Sequence, residues 1–134
     1  MTSINDVVLL EIPKIEDSRG NLSVIEANTV PFELKRIYYL YDVPSGSERG
    51  GHAHKNLFQV LIALSGSFDV VLKDGKNEKT ITLNKPNFGL LIVPGIWREL
   101  QNFSSGSICL VAASAVFNED DYIREFDDFK LYKG

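Results

Sequence analysis

The chain alternates short apolar runs with clusters of glycine, asparagine, aspartate and serine. Short apolar runs at regular spacing, bounded by turn residues, are typical of an all-β sandwich or barrel. The runs predict strands at residues 7–12, 22–25, 35–41, 58–64, 68–72, 79–83, 89–93, 98–103 and 107–115, with turns at 17–20 and 74–75. This order of strands favours a jelly roll built from two sheets.

The C-terminal end breaks the strand pattern. Ile123, Phe126, Phe129 and Lys130 fall at helical spacing, and they follow a run of acids at residues 119–121. Acidic side chains in the first turn of a helix interact favourably with the helix dipole. The pattern therefore predicts a short C-terminal helix that packs an aromatic face on the barrel. The predicted architecture is one all-β domain over residues 1–134 with a double-sheet jelly roll and this helix.

Composition limits the classes of protein that fit. A chain of 134 residues with 44% hydrophobic residues can bury one core, and its formal net charge of -4 argues against nucleic-acid or membrane-surface binding. A small anionic ligand needs only a local cluster of arginines and lysines. No basic leader and no apolar span of about 20 residues is present, which predicts a cytoplasmic protein. Cys109, the single cysteine, lies in an apolar run and is predicted to be a buried hydrophobe.

One motif carries chemistry. Glycines at residues 46, 51 and 66 surround His52, His54 and Gln59 at the spacing of the first cupin motif. Residues two apart on a strand face the same side, so the two imidazoles are expected to project together into the mouth of the barrel.

The same residues argue against a metal site. His52 and His54 are the only histidines, and cupins that bind metal take a third histidine from a second motif where this chain has Arg98. Gln59 stands where those proteins carry a glutamate. A guanidinium cannot ligate a metal and an amide is a poor ligand, so we expect no metal or other cofactor.

The chain resembles the sugar 3,4-ketoisomerases that act on dTDP-4-keto-6-deoxyglucose. The resemblance runs in order over nearly the whole chain through residues 15–20, 35–39, 49–55, 59–62, 97–99 and 121–124. It implies a cytoplasmic, metal-free cupin. It also implies a homodimer with an exchanged N-terminal strand. The product that it implies is a dTDP-3-keto-6-deoxyhexose, a precursor of aminated sugars in cell-surface glycans.

By this resemblance, His52 is the base that removes the C3 proton, and His54 shuttles protons or orients the sugar. Tyr38 faces the sugar, and its hydroxyl either donates to the developing oxyanion or relays a proton. Arg49 binds pyrophosphate through its planar fork. Further substrate-binding candidates are Arg19, Arg36, Lys55, Gln59, Trp97, Arg98 and Glu99.

Two questions stay open at the level of sequence. Branches that form the gluco and the galacto 3-ketosugar differ at the positions of Arg19 and Arg98, and two arginines match neither pairing. The alternatives to an isomerase are a 3,5-epimerase acting on the same ketosugar and a cupin that binds nucleotide sugars without catalysis.

Overall fold

In a computed structural model of the protein, the described residues are 1–49 and 51–134. Gly50, which belongs to the predicted motif stretch 49–55, lies outside the described residues. Over the part of the chain that is described, the strands are β1 (Val8–Glu11), β2 (Lys14–Asp17), β3 (Gly20–Ser23), β4 (Arg36–Leu40), β5 (Arg49–His54), β6 (Gln59–Ser65), β7 (Phe68–Lys73), β8 (Glu78–Leu83), β9 (Phe88–Ile92), β10 (Trp97–Gln101), β11 (Ile108–Ala113) and β12 (Tyr122–Ile123). A single α-helix in these residues, α1, spans Phe126–Lys133.

The described strands form two five-stranded sheets and one separate hairpin. The first sheet has the order β1-β9-β6-β11-β4, and the second has the order β12-β5-β10-β7-β8. The non-consecutive neighbours are the crossovers of a jelly roll, so the predicted all-β double-sheet fold is confirmed. Every pairing is antiparallel, and β2 pairs with β3 alone within the described part of the chain.

The core lies between the two sheets because alternate residues of each strand face inward. Leu61 and Ala63 of β6 and Val111 of β11 face Val70 and Leu72 of β7 across this interior. A second apolar layer, which includes Val60 and Ile62, covers the outer face of the first sheet beneath residues 24–34. The predicted buried state of Cys109 is confirmed, and burial raises the pKa of its thiol to about 12.

Glycine is required where strands turn or touch closely. Gly66, between β6 and β7, has φ +68°, and a Cβ atom there would lie 2.5 Å from Ser104 Oγ. A Cβ at Gly89 of β9 would lie 2.5 Å from Val60 Cγ1 on the neighbouring strand. A larger residue at either position forces the backbone or its neighbour to move.

The C-terminal helix is shorter than the sequence predicted. Residues 119–121 form a 3-10 turn, and Tyr122 and Ile123 form β12, which pairs with His54 and Ala53 of β5. The prediction that Ile123 is helical is therefore wrong, because pairing with an edge strand overrides the helical spacing. Phe126 and Phe129 do lie in α1 and pack against Trp97.

The predicted N-terminal turn is part of a hairpin. Residues 17–20 connect β2 and β3, and β2 was not predicted as a strand. Each residue of this hairpin is exposed, which removes the alternation of buried and exposed positions that identifies a strand from sequence.

Candidate active site

A cavity of about 420 Å³ opens between the two sheets. Its walls come from inward-facing residues of β4, β5, β6, β10 and β11 and from the segment around β12. The lining includes Arg36, Arg49, Arg98 and Arg124, and no aspartate or glutamate is among its described lining residues. The cavity is thus a local cationic site in a protein of net charge -4.

His52 and His54 lie together on β5, as their spacing predicts. The ring nitrogens His52 Nε2 and His54 Nε2 are 3.1 Å apart. His52 lines the cavity, whereas His54 is 1% exposed and lies behind it against a smaller neighbouring cavity. The two imidazoles form a connected pair, and one member, His52, faces the cavity.

Asp121 completes a chain of three side chains. Its Oδ2 lies 3.0 Å from His54 Nδ1. The backbone pairing of Tyr122 with His54 places Asp121 there, since Asp121 immediately precedes the strand residue opposite His54. Asp121 begins the stretch 121–124 that carries the family resemblance, but the sequence alone predicts no function for it.

The environment of His54 keeps its ring neutral. Burial, followed by the charges of Arg98, Arg36 and Arg124, lowers the pKa of His54 to about 3. A nearby carboxylate favours the protonated imidazole, but burial and three cations outweigh that attraction here.

A second polar chain crosses the cavity from Arg98. The guanidinium of Arg98 is 2% exposed and donates from Nη1 to Gln59 Oε1 at 2.5 Å and from Nη2 to the Ile96 carbonyl at 3.1 Å. Gln59 Nε2 donates to the Tyr38 hydroxyl oxygen at 3.1 Å. Arginine can only donate, so it fixes the orientation of the Gln59 amide, and the Tyr38 O–H proton is left to point elsewhere as a donor.

Tyr38 lies between the hydrogen-bonded pair of Arg98 and Gln59 on one side and the cavity-lining Arg36 on the other. Burial is the main cause that raises the pKa of Tyr38, so its hydroxyl is protonated at neutral pH. The Arg36 guanidinium lies over the Tyr38 ring at 4.6 Å from its centroid. Tyr39, the next residue, is exposed on the opposite face of β4.

The family follows from a comparison of the chain with protein-family models. Residues 5–134 match the model described as FdtA, WxcM-like, C-terminal. The chain belongs to this family. A curated relative, TDP-4-oxo-6-deoxy-alpha-D-glucose-3,4-oxoisomerase of Aneurinibacillus thermoaerophilus, is 46% identical over 125 residues, which cover 92% of this chain and 90% of the relative.

Two solved structures of 3,4-ketoisomerases have the same architecture. A 3,4-ketoisomerase from Helicobacter canadensis superposes with a TM-score of 0.92 at 48% identity, over 96% of this chain and 97% of that chain. A histidine-to-asparagine mutant of the 3,4-ketoisomerase QdtA from Thermoanaerobacterium thermosaccharolyticum was solved in complex with TDP-4-keto-6-deoxyglucose. It gives a TM-score of 0.93 at 42% identity, over 96% and 94% of the two chains.

Two of the predicted substrate-binding residues, Trp97 and Glu99, are not among the cavity-lining residues of this chain. Trp97 and Glu99 alternate with Arg98 on β10 and therefore face away from the cavity. Trp97 is buried with Phe126 and Phe129 under α1, and its Nε1 donates to Glu99 Oε2 at 2.8 Å. Glu99 also lies 3.5 Å from the Lys73 ammonium.

Arg19 and Lys55 also lie outside the cavity of this chain. Arg19 is exposed on the β2–β3 turn and pairs with Asp17 at 2.8 Å. Lys55 is exposed, and its backbone N–H donates to the Asp121 carbonyl at 2.9 Å. The cavity instead contains two residues that sequence analysis did not single out, Tyr122 and Arg124. Both lie in the matching stretch 121–124, which was the one available signal.

Potential metal ligands do not cluster in the described structure. No group of three histidine, cysteine, aspartate or glutamate side chains is arranged to hold an ion among the residues that could be searched. The expectation of a metal-free site rests on the donor set and stays a prediction. No described helix is long and apolar enough to cross a membrane.

Proposed function

We propose that the protein is an isomerase that converts dTDP-4-keto-6-deoxyglucose to a dTDP-3-keto-6-deoxyhexose. The observation that carries the proposal is a connected pair of imidazoles at the wall of an arginine-lined cavity, in a chain whose relatives are named for this reaction. His52, the member of the pair that lines the cavity, would supply the base that proton transfer at carbon requires.

The arginines account for the nucleotide part of the substrate. A diphosphate carries negative charge that planar guanidinium groups bind through paired hydrogen bonds. Arg49 is exposed at the rim and Arg36 lies along the wall, so they suit this function better than the buried Arg98. Arg124 also lies along the wall, but its guanidinium already donates to both carboxylate oxygens of Glu119, at 2.6 and 2.7 Å. With no acid in the described lining, nothing in it repels a diphosphate.

The reaction moves a ketone from C4 to C3 by proton transfers alone. His52 takes the C3 proton, the electron pair of that C–H bond forms a C3–C4 double bond, and the charge moves to the C4 oxygen. The C4 oxygen takes up a proton and the C3 hydroxyl loses one. Protonation of C4 then yields the C3 ketone, and no net proton or electron is gained.

Tyr38 is suited to the intermediate of this reaction. Gln59 occupies its oxygen as an acceptor, so its O–H proton is available for a developing enediolate oxygen. Arg98 holds Gln59 in that orientation and adds positive charge in a buried place.

Two other functions remain to be tested against the isomerase. A 3,5-epimerase would use the same barrel and base, and a binding module would use the arginines alone. The protein is mixed with dTDP-4-keto-6-deoxyglucose in deuterated water, and the ring protons are followed by NMR. Deuterium exchange with a new C3 ketone supports the isomerase. Exchange with inversion at C3 and C5 supports the epimerase, and saturable binding without exchange supports the binding module.

The same reaction in ordinary water decides the stereochemistry of the product, because deuterated water would leave deuterium rather than a proton at C4. Arg19 and Arg98 match neither the gluco nor the galacto pairing, and Arg19 does not reach the cavity of this chain. The coupling constant of the proton at C4 separates the two products.

A homodimer with an exchanged N-terminal strand is the proposed assembly. The separate β2–β3 hairpin exposes Ile15 and Leu22, which pair across it and are 59% and 56% exposed. Ile37 and Tyr39 are also exposed on the outer face of the first sheet. A second copy would bury these apolar side chains. Light scattering is expected to give twice the chain mass of 15.0 kDa, and a value of one chain mass would exclude the dimer.

Two coarser expectations accompany the proposal. Packing of β12 and α1 on β5 supports one functional domain over residues 1–134. The cytoplasmic location stays a prediction, which cell fractionation tests.

A further inference from the structure

Asp121 is held in place from several directions. Its Oδ1 accepts the Asn56 N–H at 2.8 Å, its Oδ2 lies 3.0 Å from His54 Nδ1, and its carbonyl accepts the Lys55 N–H at 2.9 Å. The side chain is 12% exposed and that of His54 is 1% exposed. Rotation of the carboxylate away from His54 would break a backbone contact as well as the imidazole contact.

This geometry fixes where the protons of His54 lie. Since burial and three arginines lower the pKa of His54 to about 3, the ring is neutral near pH 7 and carries one proton. A carboxylate can only accept, so that proton is on Nδ1. His54 Nε2 therefore presents a lone pair.

The proton position on His54 then fixes the tautomer of His52. Two nitrogens at 3.1 Å need one proton between them, and His54 Nε2 has none to give. His52 must donate from its own Nε2. A neutral His52 in this state has its lone pair on Nδ1.

We propose that Asp121 is a positioning residue that sets, through His54, the tautomer in which His52 Nδ1 acts as the base. The inference rests on the proposed function, in which His52 removes the C3 proton. When Nδ1 takes that proton, the C–H electron pair stays on the sugar and His52 becomes an imidazolium. The Nε2–H of His52 still donates to His54, and the Nδ1–H of His54 donates to the Asp121 carboxylate. The positive charge on His52 is therefore stabilised by two hydrogen bonds in series that end at a negative carboxylate. Return of the proton to the sugar restores the starting state.

The variant Asp121→Asn tests this with little change in shape. The amide keeps an oxygen for the Asn56 N–H and places an NH2 donor where Oδ2 faced His54. That donor requires a lone pair on His54 Nδ1, which moves the His54 proton to Nε2 and reverses the bond to His52. His52 then carries its proton on Nδ1 and cannot act as a base there.

The tautomers can be read directly because the chain contains 2 histidines. Long-range proton–nitrogen NMR spectra of the protein with 15N-labelled histidine are recorded for the wild type and the variant. We expect protonated His54 Nδ1 and protonated His52 Nε2 in the wild type, and the reverse in Asp121→Asn. We also expect kcat to fall about 10²- to 10⁴-fold with KM changed less than threefold, as expected when a base is held in the wrong tautomer. Asp120→Asn removes the neighbouring exposed carboxylate and should change neither tautomers nor kcat.

Several results would overturn the inference. Wild-type spectra with the proton on His54 Nε2 would do so without any variant, even if Asp121→Asn did not fold. A variant that keeps the wild-type tautomers, or one with kcat within threefold of the wild type, would also do so. Failure of the wild type to isomerise the ketosugar would instead overturn the proposed function, and the catalytic part of this inference with it.

Discussion

Two aspartates of this protein, Asp74 and Asp121, use the same group in different ways. Asp74 is 6% exposed; its Oδ1 accepts the N–H groups of Lys76 and Asn77, and its Oδ2 accepts that of Ile4. Asp121 accepts one backbone N–H and faces the ring of His54.

The two carboxylates differ in whether their hydrogen-bond partners can gain or lose a proton. Burial opposes ionisation of Asp74, but its backbone hydrogen bonds from Asn77, Ile4 and Lys76 lower its pKa. Backbone amides do not titrate, so Asp74 joins the N-terminal segment to the β7–β8 turn and transmits nothing further. Asp121 contacts a titratable ring that contacts a second one. A carboxylate bonded to backbone stabilises the fold, whereas one bonded to an imidazole at a cavity controls protons.

The largest effect on kcat is expected at His52, the last of the three connected side chains Asp121, His54 and His52. His52→Asn removes the proposed base, so kcat should fall at least about 10³-fold. The dTDP dissociation constant should stay within a few-fold, because the arginines are untouched. Steady-state kinetics and calorimetric titration measure the two quantities, and near-normal turnover would show that the base is another residue.

Acid should destabilise the fold through His54 before it affects Asp74. The pKa of His54 is 6.5 when unperturbed and about 3 in the folded protein. Between these values the unfolded chain binds a proton that the folded chain does not, so the free energy of unfolding decreases as the pH falls. The loss attributable to His54 should be about 2 kcal/mol between pH 6.5 and 4.5.

Urea unfolding at several pH values in wild type and His54→Gln measures this loss. The glutamine variant should lack this part of the slope. Asp74 does not interfere, because its lowered pKa costs stability only below its ordinary value of 3.8. Equal slopes in the two proteins would contradict the prediction.

Asp74→Asn should cost stability without loss of activity. The amide leaves the buried Ile4 N–H facing another donor, which should lower the free energy of unfolding by about 1 to 2 kcal/mol. Urea unfolding measures this change, with the exposed Asp120→Asn as the control, expected within about 0.5 kcal/mol of the wild type. If kcat of Asp74→Asn fell like that of Asp121→Asn, the distinction between the two aspartates would be lost.

The smallest effect is expected at the rim of the cavity. Arg49→Ala removes an exposed guanidinium, so dTDP should bind about tenfold more weakly, which corresponds to about 1.4 kcal/mol. The exposed Lys85→Ala, outside the cavity lining, is the control and should bind dTDP normally. Equal affinities for the two variants would remove Arg49 from the diphosphate site.

Much of the candidate site could be predicted from local sequence. Strand alternation alone places His52 and His54 on one face, and the motif places Gln59 on the next strand. The same alternation on β10 places Trp97 and Glu99 on the opposite face from Arg98. Asp121 was not identifiable, since 67 residues separate it from His54 and only the pairing of β12 with β5 brings them together.

The sequence by itself determined the all-β class, the paired imidazoles and the cationic residues, because these depend on period-two alternation and on residue chemistry. The tertiary structure decided which end of the chain supports His54, which arginines enter the cavity and where the C-terminal helix begins. Those outcomes depend on contacts between distant segments, whose burial and hydrogen bonding override local preference. Ile123 falls at helical spacing with Phe126 and Phe129, yet it lies in the strand Tyr122–Ile123, whose pairing with β5 places Asp121 next to His54.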